Sequence, residues 1–513
     1  MINGKNLVAG NWESQSDSIK FQTINPKTQE ALEVDFQQAT SDQISRALEA
    51  ASESFELVAA ISLTDRIRFL ECIQKEMQLI QSEIIATYQM ESALAEGRAN
   101  GEFQRTMDQI QRFIELLQKG NFVKASLHTG GPDLRKMLYP IGPVVVFGAS
   151  NFPLAFSTAG GDTISAFAAA CPVVVKAHHY HAGTSELVAQ AITKAVEKCK
   201  LPKGIFSHLG GQSHDIGSEL VSNPLVKGVG FTGSFSGGKA LYDLAQQREE
   251  PIPVFAEMGS INPIFILEAK LKSDRSLAEA IAQSVTLGTG QFCTNPGLIV
   301  VCDPSGQFDL AKKISDRMEG LQLPPMVHEN IQIQYDEQLS SFDSSNKLDT
   351  FFKSETCSAA IGGVNATRFL SDHGLMQEVF GPFTLVVECK NEEELIAVGA
   401  SIEGQLTATI LGEPSDAGVS KKLLSKLKSN AGRILFQGVP TGVAVTEAMQ
   451  HGGPFPATTD SRFTSVGTDA VYRWLRPVAF QDCPNELLPA ALQNENPLGI
   501  LRTIDGKLTT DAI

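Results

Sequence analysis

Val144-Val145-Val146-Phe147-Gly148-Ala149-Ser150-Asn151-Phe152-Pro153 is the stretch on which the fold turns. Three β-branched residues and an aromatic, closed by Gly148, make an apolar run of strand length, as expected of a strand buried on both faces. A helix of small residues follows at 163–170, and a second run of the same kind at Val173-Val174-Val175. Helical periodicity at 185–198, an apolar strand at 226–231 and a helix at 238–247 repeat the unit. This alternation predicts an open, mostly parallel sheet with helices on both faces, and so an α/β class.

On the N-terminal side, turn-rich sequence surrounds Asn25-Pro26-Lys27, and helical periodicity dominates from Ser41 to about Lys119. Ile44, Leu48 and Ala51 recur at helical spacing, and Ser41 is the expected N-cap. After the loop Thr129-Gly130-Gly131-Pro132, Met137-Leu138-Tyr139 has strand character. On the C-terminal side, Ile264-Phe265-Ile266, Ile299-Val300-Val301, 384–387 and 407–411 are short strands that alternate with helices, which predicts a second α/β domain. The tail from Arg476 carries Pro477, Pro484, Pro489 and Pro497, and is expected to be extended rather than independently folded.

At 513 residues the chain is long enough for about three domains. A hydrophobic fraction of 42% with 19% charged residues excludes a disordered chain. The net charge of −16 argues against general affinity for nucleic acid or an anionic membrane. An anionic ligand therefore needs a local positive site. The eight cysteines contain no CxxC pair, which removes a zinc framework and a redox dithiol, and they are too sparse for a disulfide scaffold. Met1 to Glu13 has no apolar secretory core, and the longest apolar stretch, 163–175, is broken by Pro172. A reducing cytoplasm is the expected compartment.

Two motifs mislead. Residues 228–233 form a literal GxGxxG, but the first two glycines fall inside a predicted strand, where a dinucleotide fingerprint needs them at a strand-to-helix turn. Residues 233–240 fall one residue short of a P-loop, with Ala240 where a Mg²⁺-binding hydroxyl is required. What survives is a Gly-rich turn opening a helix, whose bare N–H groups suit a cofactor phosphate.

Gly290-Gln291-Phe292-Cys293-Thr294 places a cysteine among small and polar residues, unlike Cys171 in its apolar segment. Glu257-Met258-Gly259-Ser260-Ile261-Asn262-Pro263 supplies a carboxylate before a strand. Ala149-Ser150-Asn151-Phe152-Pro153 offers an amide at the end of a buried strand, and Glu378-Val379-Phe380-Gly381-Pro382 lies in the later domain. Together these segments resemble the aldehyde dehydrogenase superfamily over nearly the whole chain. Residues 147–157, 290–294, Pro440-Thr441-Gly442-Val443, His451-Gly452-Gly453-Pro454 and Arg476-Pro477-Val478-Ala479 are similar to its α-ketoglutaric semialdehyde (2,5-dioxopentanoate) dehydrogenase branch.

The resemblance implies a role for each matching residue. Cys293 is the expected nucleophile, attacking an aldehyde to give a thiohemiacetal and then a thioester. Asn151 is the expected oxyanion donor, together with the backbone N–H of Cys293. Glu257 is the expected base for the water that cleaves the thioester. Lys176 matches the family lysine that contacts the adenosine ribose. Three residues later, NAD-preferring relatives often carry Glu, and this chain has His179. Glu would repel a 2′-phosphate, whereas His tolerates one, so NADP use, or dual use with NAD, is expected. Gly233, Ser234 and Gly238 are expected near the cofactor phosphates, and Glu378 and Phe380 near the nicotinamide ribose and ring. No metal is implied.

Two departures touch the substrate side. Gln437-Gly438 replaces the usual Asn-Gly, and Ala444 stands where relatives often carry an acid. No substrate-binding arginine is identifiable from sequence. The expected reaction is oxidation of a small aldehyde to its acid, with α-ketoglutaric semialdehyde going to 2-oxoglutarate; a long-chain fatty aldehyde is the alternative substrate. A CoA-acylating enzyme fits less well, because Glu257 is present. An inactive binding or structural protein on this fold should lack the nucleophile, base or oxyanion donor. A cysteine hydrolase needs a His paired with Cys293; His451 is the best candidate and reads as shaping a turn.

The implied architecture is aldehyde dehydrogenase-like. It has a Rossmann-type cofactor domain (1–127 and 144–258, with 446–480), an α/β catalytic domain (259–445) and a small β oligomerisation arm (128–143 and 481–513). A homodimer or homotetramer is expected.

Overall fold

The computed structural model describes residues 1–344, 347–440 and 442–513; Thr441, in the Pro-Thr-Gly run quoted above, lies outside them. The first of its sheets has seven strands, in the order Val254–Glu257, Gly228–Thr232, Val144–Phe147, Val173–Lys176, Phe206–Leu209, Asn6–Val8, Asn11–Glu13. Its first five strands run parallel, and the two N-terminal strands are added antiparallel. Alternate residues of the central strands feed two separate cores, as the pleat requires. Val144, Val146, Val173 and Val175 pack with Leu70, Phe103, Ile164 and Val188. Val145, Phe147 and Val174 pack on the other face with Ile44, Leu48, Leu220 and Ala245.

The region 41–119 is four helices, Ser41–Ala59, Leu63–Leu79, Gln81–Ser92 and Glu96–Lys119. The first is capped by Thr40, not by Ser41 as expected. Thr40 is extended and forms a reciprocal capping box with Gln43, leaving Ser41 as the first helical residue.

Two strands of the first sheet have no clear apolar signature. Phe206–Leu209 is interrupted by Ser207 and His208, both buried and both hydrogen-bonded, to the Ala9 N–H and the Thr158 hydroxyl. Val254–Glu257 ends in the carboxylate that sequence reading placed before a strand. Residues 228–232 are a strand, so Gly228 and Gly230 serve packing rather than a phosphate. A side chain at Gly230 would meet Asp162 at 2.8 Å and Trp474 at 3.1 Å.

The second sheet also has seven strands, in the order Thr350–Lys353, Ala360–Asn365, Phe383–Cys389, Leu298–Cys302, Ile264–Ile266, Gln405–Leu411, Ala431–Phe436. All are parallel except the first. A five-stranded sheet joins Leu475–Gln481, Leu134–Pro140, Ser126–His128, Arg502–Ile504 and Lys507–Thr509. It takes in Ser126–His128 and Leu475–Gln481, which sequence boundaries put largely with the first unit. Leu475–Gln481 pairs residue by residue with Leu134–Pro140, and this backbone ladder holds it there.

Loops leaving the carboxyl ends of the first sheet meet loops entering the amino ends of the second, as the Asn151–Gln291 hydrogen bond illustrates. Such carboxyl ends are where open α/β sheets bind ligands. Among the described residues, no helix is long and apolar enough to cross a membrane.

Candidate active site

Cys293 lies just before Leu298–Cys302, after a kinked turn at Leu287–Gly290 in which Gly288, Thr289 and Gly290 all have positive φ. A side chain at Gly290 would fall 2.1 Å from the Gly381 carbonyl carbon, so this close approach requires glycine. The loop is tied down on several sides. The buried Asn262 amide donates to the carbonyls of Cys293 (2.8 Å) and Asn295 (3.0 Å). Asn295 donates to the Gly381 carbonyl (3.0 Å), and the Gln291 side chain accepts from the Val327 N–H (3.0 Å). The sulfur is thus held by a preorganised backbone.

His451 stands between Cys293 and Glu257. Its Nε2 is 3.4 Å from the Cys293 Sγ and 2.8 Å from the Glu257 Oε1. Both neighbours are acceptors when ionised, so the network assigns the proton to Nε2. The buried Nδ1 has no partner among the described residues. The other Glu257 oxygen accepts from the Ser465 hydroxyl at 2.5 Å. Burial pushes the Glu257 carboxyl up. The charge and hydrogen bond of His451, with hydrogen bonds from Ser465 and Cys293, outweigh it and hold the group below its usual value. Burial first, and the charge of Glu257 second, push the Cys293 thiol well above its ordinary value, against the pull of Arg105. The resting centre is therefore a protonated thiol beside an ionised carboxylate.

Asn151 donates its amide to the Gln291 carbonyl (3.0 Å), two residues before the sulfur. An amide has a second N–H, for which this structure gives no partner among the described residues. The loop after Asn151 is anchored by buried Glu102, which accepts from the Leu154 and Ala155 N–H groups at 2.9 Å and from the Tyr88 hydroxyl at 2.7 Å.

Lys176 ends its strand, in register with Phe147, which is in register with Phe231; Gly233 lies two residues on. The Lys176 Nζ donates to the Gly211 carbonyl (2.6 Å), and burial pulls the group down to about 8. His179 stacks on His178 at 4.8 Å; its buried Nδ1 has no partner among the described residues, and burial, then Lys176, pushes the ring down to about 3. Ser234 caps helix Phe235–Gln246 by accepting from the Gly237 N–H, and Gly233 donates to the Glu257 carbonyl (3.1 Å). A side chain at Gly238 would strike Met258 at 2.7 Å, and one at Gly259 would strike the Glu378 carboxylate at 2.3 Å. Burial pushes Glu378 up to about 7. Phe380 is half-buried and precedes Gly381, against which the cysteine loop is locked.

The structure thus gathers Cys293, Glu257 and Asn151 in one place, with Gly233, Glu378 and Phe380 adjoining. His451 corrects the sequence reading. It is not merely a turn residue but the bridge between thiol and carboxylate, 158 residues from Cys293 in the chain. The one legible hint was its position in His451-Gly452-Gly453-Pro454. Ser465 and Asn262 were also missed, because neither residue type is distinctive without its partner. Ligand atoms of Glu257, Cys293 and His451 lie within 4.8 Å of one another, so this group could hold a cation, at the cost of occupying the thiol.

Comparison with known proteins agrees with this geometry. The model of the aldehyde dehydrogenase family matches residues 12–454. A protein of Azospirillum brasilense named alpha-ketoglutaric semialdehyde dehydrogenase 2 is 44% identical, over 91% of this chain and 92% of its own. An alpha-ketoglutaric semialdehyde dehydrogenase of Acinetobacter baylyi is 39% identical over 99% of each. A solved betaine aldehyde dehydrogenase of Staphylococcus aureus, a point mutant in complex with NAD+, superposes with a TM-score of 0.80 at 16% identity, over 94% of this chain and 98% of that one. A 1-pyrroline-5-carboxylate dehydrogenase from Thermus with bound NAD gives 0.78 at 18% identity, over 94% and 93%. At such identity these two structures establish the fold alone.

Proposed function

This chain belongs to the aldehyde dehydrogenase family, and on that premise we propose that it oxidises α-ketoglutaric semialdehyde to 2-oxoglutarate with NADP, or NAD, as hydride acceptor. The observation that carries the reaction is the Cys293–His451–Glu257 cluster, with contacts of 3.4 and 2.8 Å. The substrate rests on the two relatives at 44% and 39% identity, both named for that aldehyde.

The Cys293 sulfur attacks the aldehyde carbon as the thiol gives up its proton to solvent, which leaves Glu257 ionised. Asn151 and the Cys293 N–H hold the oxyanion of the thiohemiacetal. When bound, the nicotinamide supplies the acceptor for the hydride lost in forming the thioester. Glu257 then takes a proton from water, the hydroxide attacks the thioester carbon, and the acid leaves as the thiol is restored. Ser465 and His451 keep Glu257 ionised for this step. The 3.4 Å Cys293–His451 contact is the pairing a cysteine hydrolase needs, but burial and Glu257 push the thiol up, where a Cys–His ion pair would lower it.

Features of this chain fit the cofactor. Gly259 leaves room for Glu378, the Ser234-capped helix start offers N–H groups, and His179 has an unpartnered Nδ1. Lys176 and His179 would hold the adenosine ribose and its 2′-phosphate, Gly233, Ser234 and Gly238 the phosphates, and Glu378 and Phe380 the nicotinamide ribose and ring. On this reading the first sheet with 1–127, 144–258 and 446–480 forms the cofactor domain, and 259–445 the catalytic domain.

The chain is further read as a homodimer or homotetramer, built through 128–143 and 481–513. Leu475–Gln481 and Lys507–Thr509 are edge strands of that sheet, and Leu508 is exposed. Edge strands left open invite pairing with another chain. A monomer in sedimentation at micromolar concentration would contradict this.

The activity is tested by kcat/KM over a panel of aldehydes with each cofactor. The acid semialdehyde should exceed a long-chain fatty aldehyde, and added CoA should not raise turnover. Preference for the fatty aldehyde would overturn the substrate, and a hundredfold preference for NAD would overturn the cofactor.

A further inference from the structure

We infer that Arg105 and Arg433 form a two-armed clamp for the carboxylate at the far end of the substrate, making this a site for short aldehydes that also carry an acid group. The inference rests on the reaction proposed above and names the residues that choose its substrate.

Arg105 lies on helix Glu96–Lys119, and Arg433 on strand Ala431–Phe436 of the second sheet. They converge on one short segment from these two elements. The Arg105 Nη2 donates to the Val443 carbonyl (3.1 Å), and both Arg433 terminal nitrogens lie 3.4 Å from the Gly442 carbonyl. This is the stretch in which Ala444 departs from the family pattern. Each guanidinium keeps one buried N–H group with no partner among the described residues, Nη1 of Arg105 and Nε of Arg433. Among the described residues neither arginine has an ion pair. Arg98 does: it lies 3.6 Å from Glu102 and is packed over the rings of Phe152 (4.5 Å) and Phe292 (4.3 Å). It is therefore a wall, and the other two remain open.

The clamp is close to the chemistry. The Arg105 guanidinium sits 5.3 Å above the Phe156 ring, which lies 6.3 Å from the His451 ring, itself against the Cys293 sulfur. Both arginines also gain from negative charge at Cys293 while burial opposes their own charge. A partly buried cation without an anion is costly, and forked N–H donors match a carboxylate in both charge and geometry. In α-ketoglutaric semialdehyde the carboxylate lies at the opposite end from the aldehyde, so one molecule can reach Cys293 and the clamp together.

The test compares wild type with Arg105→Met and Arg433→Met. It measures the ratio of kcat/KM for α-ketoglutaric semialdehyde to that for pentanal, and 2-oxoglutarate binding by calorimetry. Cofactor binding, followed by fluorescence, checks that each variant is folded. Each substitution should lower the ratio roughly 10- to 100-fold, the loss expected for a charge-assisted hydrogen bond, chiefly through KM, and weaken 2-oxoglutarate binding alongside. Arg433→Lys should recover part of the ratio. The clamp is overturned if wild type prefers the acid semialdehyde while both folded Met variants keep that preference. A wild type that oxidises pentanal well but discriminates against the acid semialdehyde instead overturns the substrate reading itself.

Discussion

Replacing His451 with Phe keeps a ring against Phe156 but removes the N–H that faces Glu257 at 2.8 Å. In the wild type, burial pushes Glu257 up, and His451 is foremost among the groups that overcome it. Without His451, burial is opposed only by the Ser465 and Cys293 hydrogen bonds among the leading causes, and the carboxyl rises. A hydrogen bond to a charged group contributes roughly 1.5–3 kcal/mol. At 1.36 kcal/mol per unit this corresponds to about 1–2 pH units. Glu257 acts as a base only when ionised, so the acid limb of thioester hydrolysis should move up by that amount. Acylation should keep its profile, because burial leads what shifts the Cys293 thiol and a ring of similar size leaves that burial in place. Stopped-flow measurement of NAD(P)H separates the two steps: the burst reports acylation and the later phase deacylation. The expected outcome is a burst with its wild-type pH profile and a displaced steady-state limb. A steady-state limb that stays put, or a displaced burst profile, would refute this account of how the Glu257 charge is maintained.

Three other perturbations follow from the same site. His179→Glu places a carboxylate where the 2′-phosphate is proposed to lie, so the ratio of NADP to NAD affinity should fall about 10- to 100-fold by fluorescence titration; an unchanged ratio would move the phosphate elsewhere. Glu378 is pushed from 4.5 up to about 7, so its contribution to stability is full below pH 4.5 and is lost as pH rises through 7. Glu378→Gln should therefore gain about 3 kcal/mol relative to wild type between those limits, in urea unfolding of cofactor-free protein; a flat difference would contradict the buried-carboxylate account. Zn²⁺ should inhibit by binding the sulfur, imidazole and carboxylate that lie within 4.8 Å, with reversal by a chelator. Calorimetry should show that site missing from Cys293→Ala, and equal zinc binding in that variant would place the metal elsewhere.

The sequence was most informative where one physical rule dominates. The run Val144–Phe147 is apolar at every position because a parallel strand is covered on both faces, and it forms the strand expected. Phe206–Leu209 was invisible because its buried polar pair is satisfied by partners far along the chain, Ala9 and Thr158. The site divides in the same way. Cys293, Glu257 and Asn151 stand in motifs that carry their own context. His451 and the two arginines do not, because their meaning lies in what the fold brings opposite them: a sulfur and a carboxylate for one, and consecutive carbonyls for the others. Thr40 is a smaller case, since its partner Gln43 lies three residues on and the capping box was open to reading.

The site also contains a conflict that the proposed reaction resolves. Glu257 raises the thiol it stands beside, so the base needed for the second step hinders the first. A neutral thioester ends this antagonism, because an acylated sulfur has no charge for Glu257 to oppose. The carboxylate that is a burden before acylation becomes wholly useful after it. His451 touches both groups through one nitrogen, so the same ring edge lies against the sulfur and the carboxylate at either stage. Arg105 acts in the opposite sense from Glu257: its charge favours a negative sulfur during attack, and the substrate carboxylate proposed to bind it would weaken that help. A second cation at the clamp, Arg433, offsets the substrate's charge, and this gives a physical reason for two arginines where one would suffice to bind an acid.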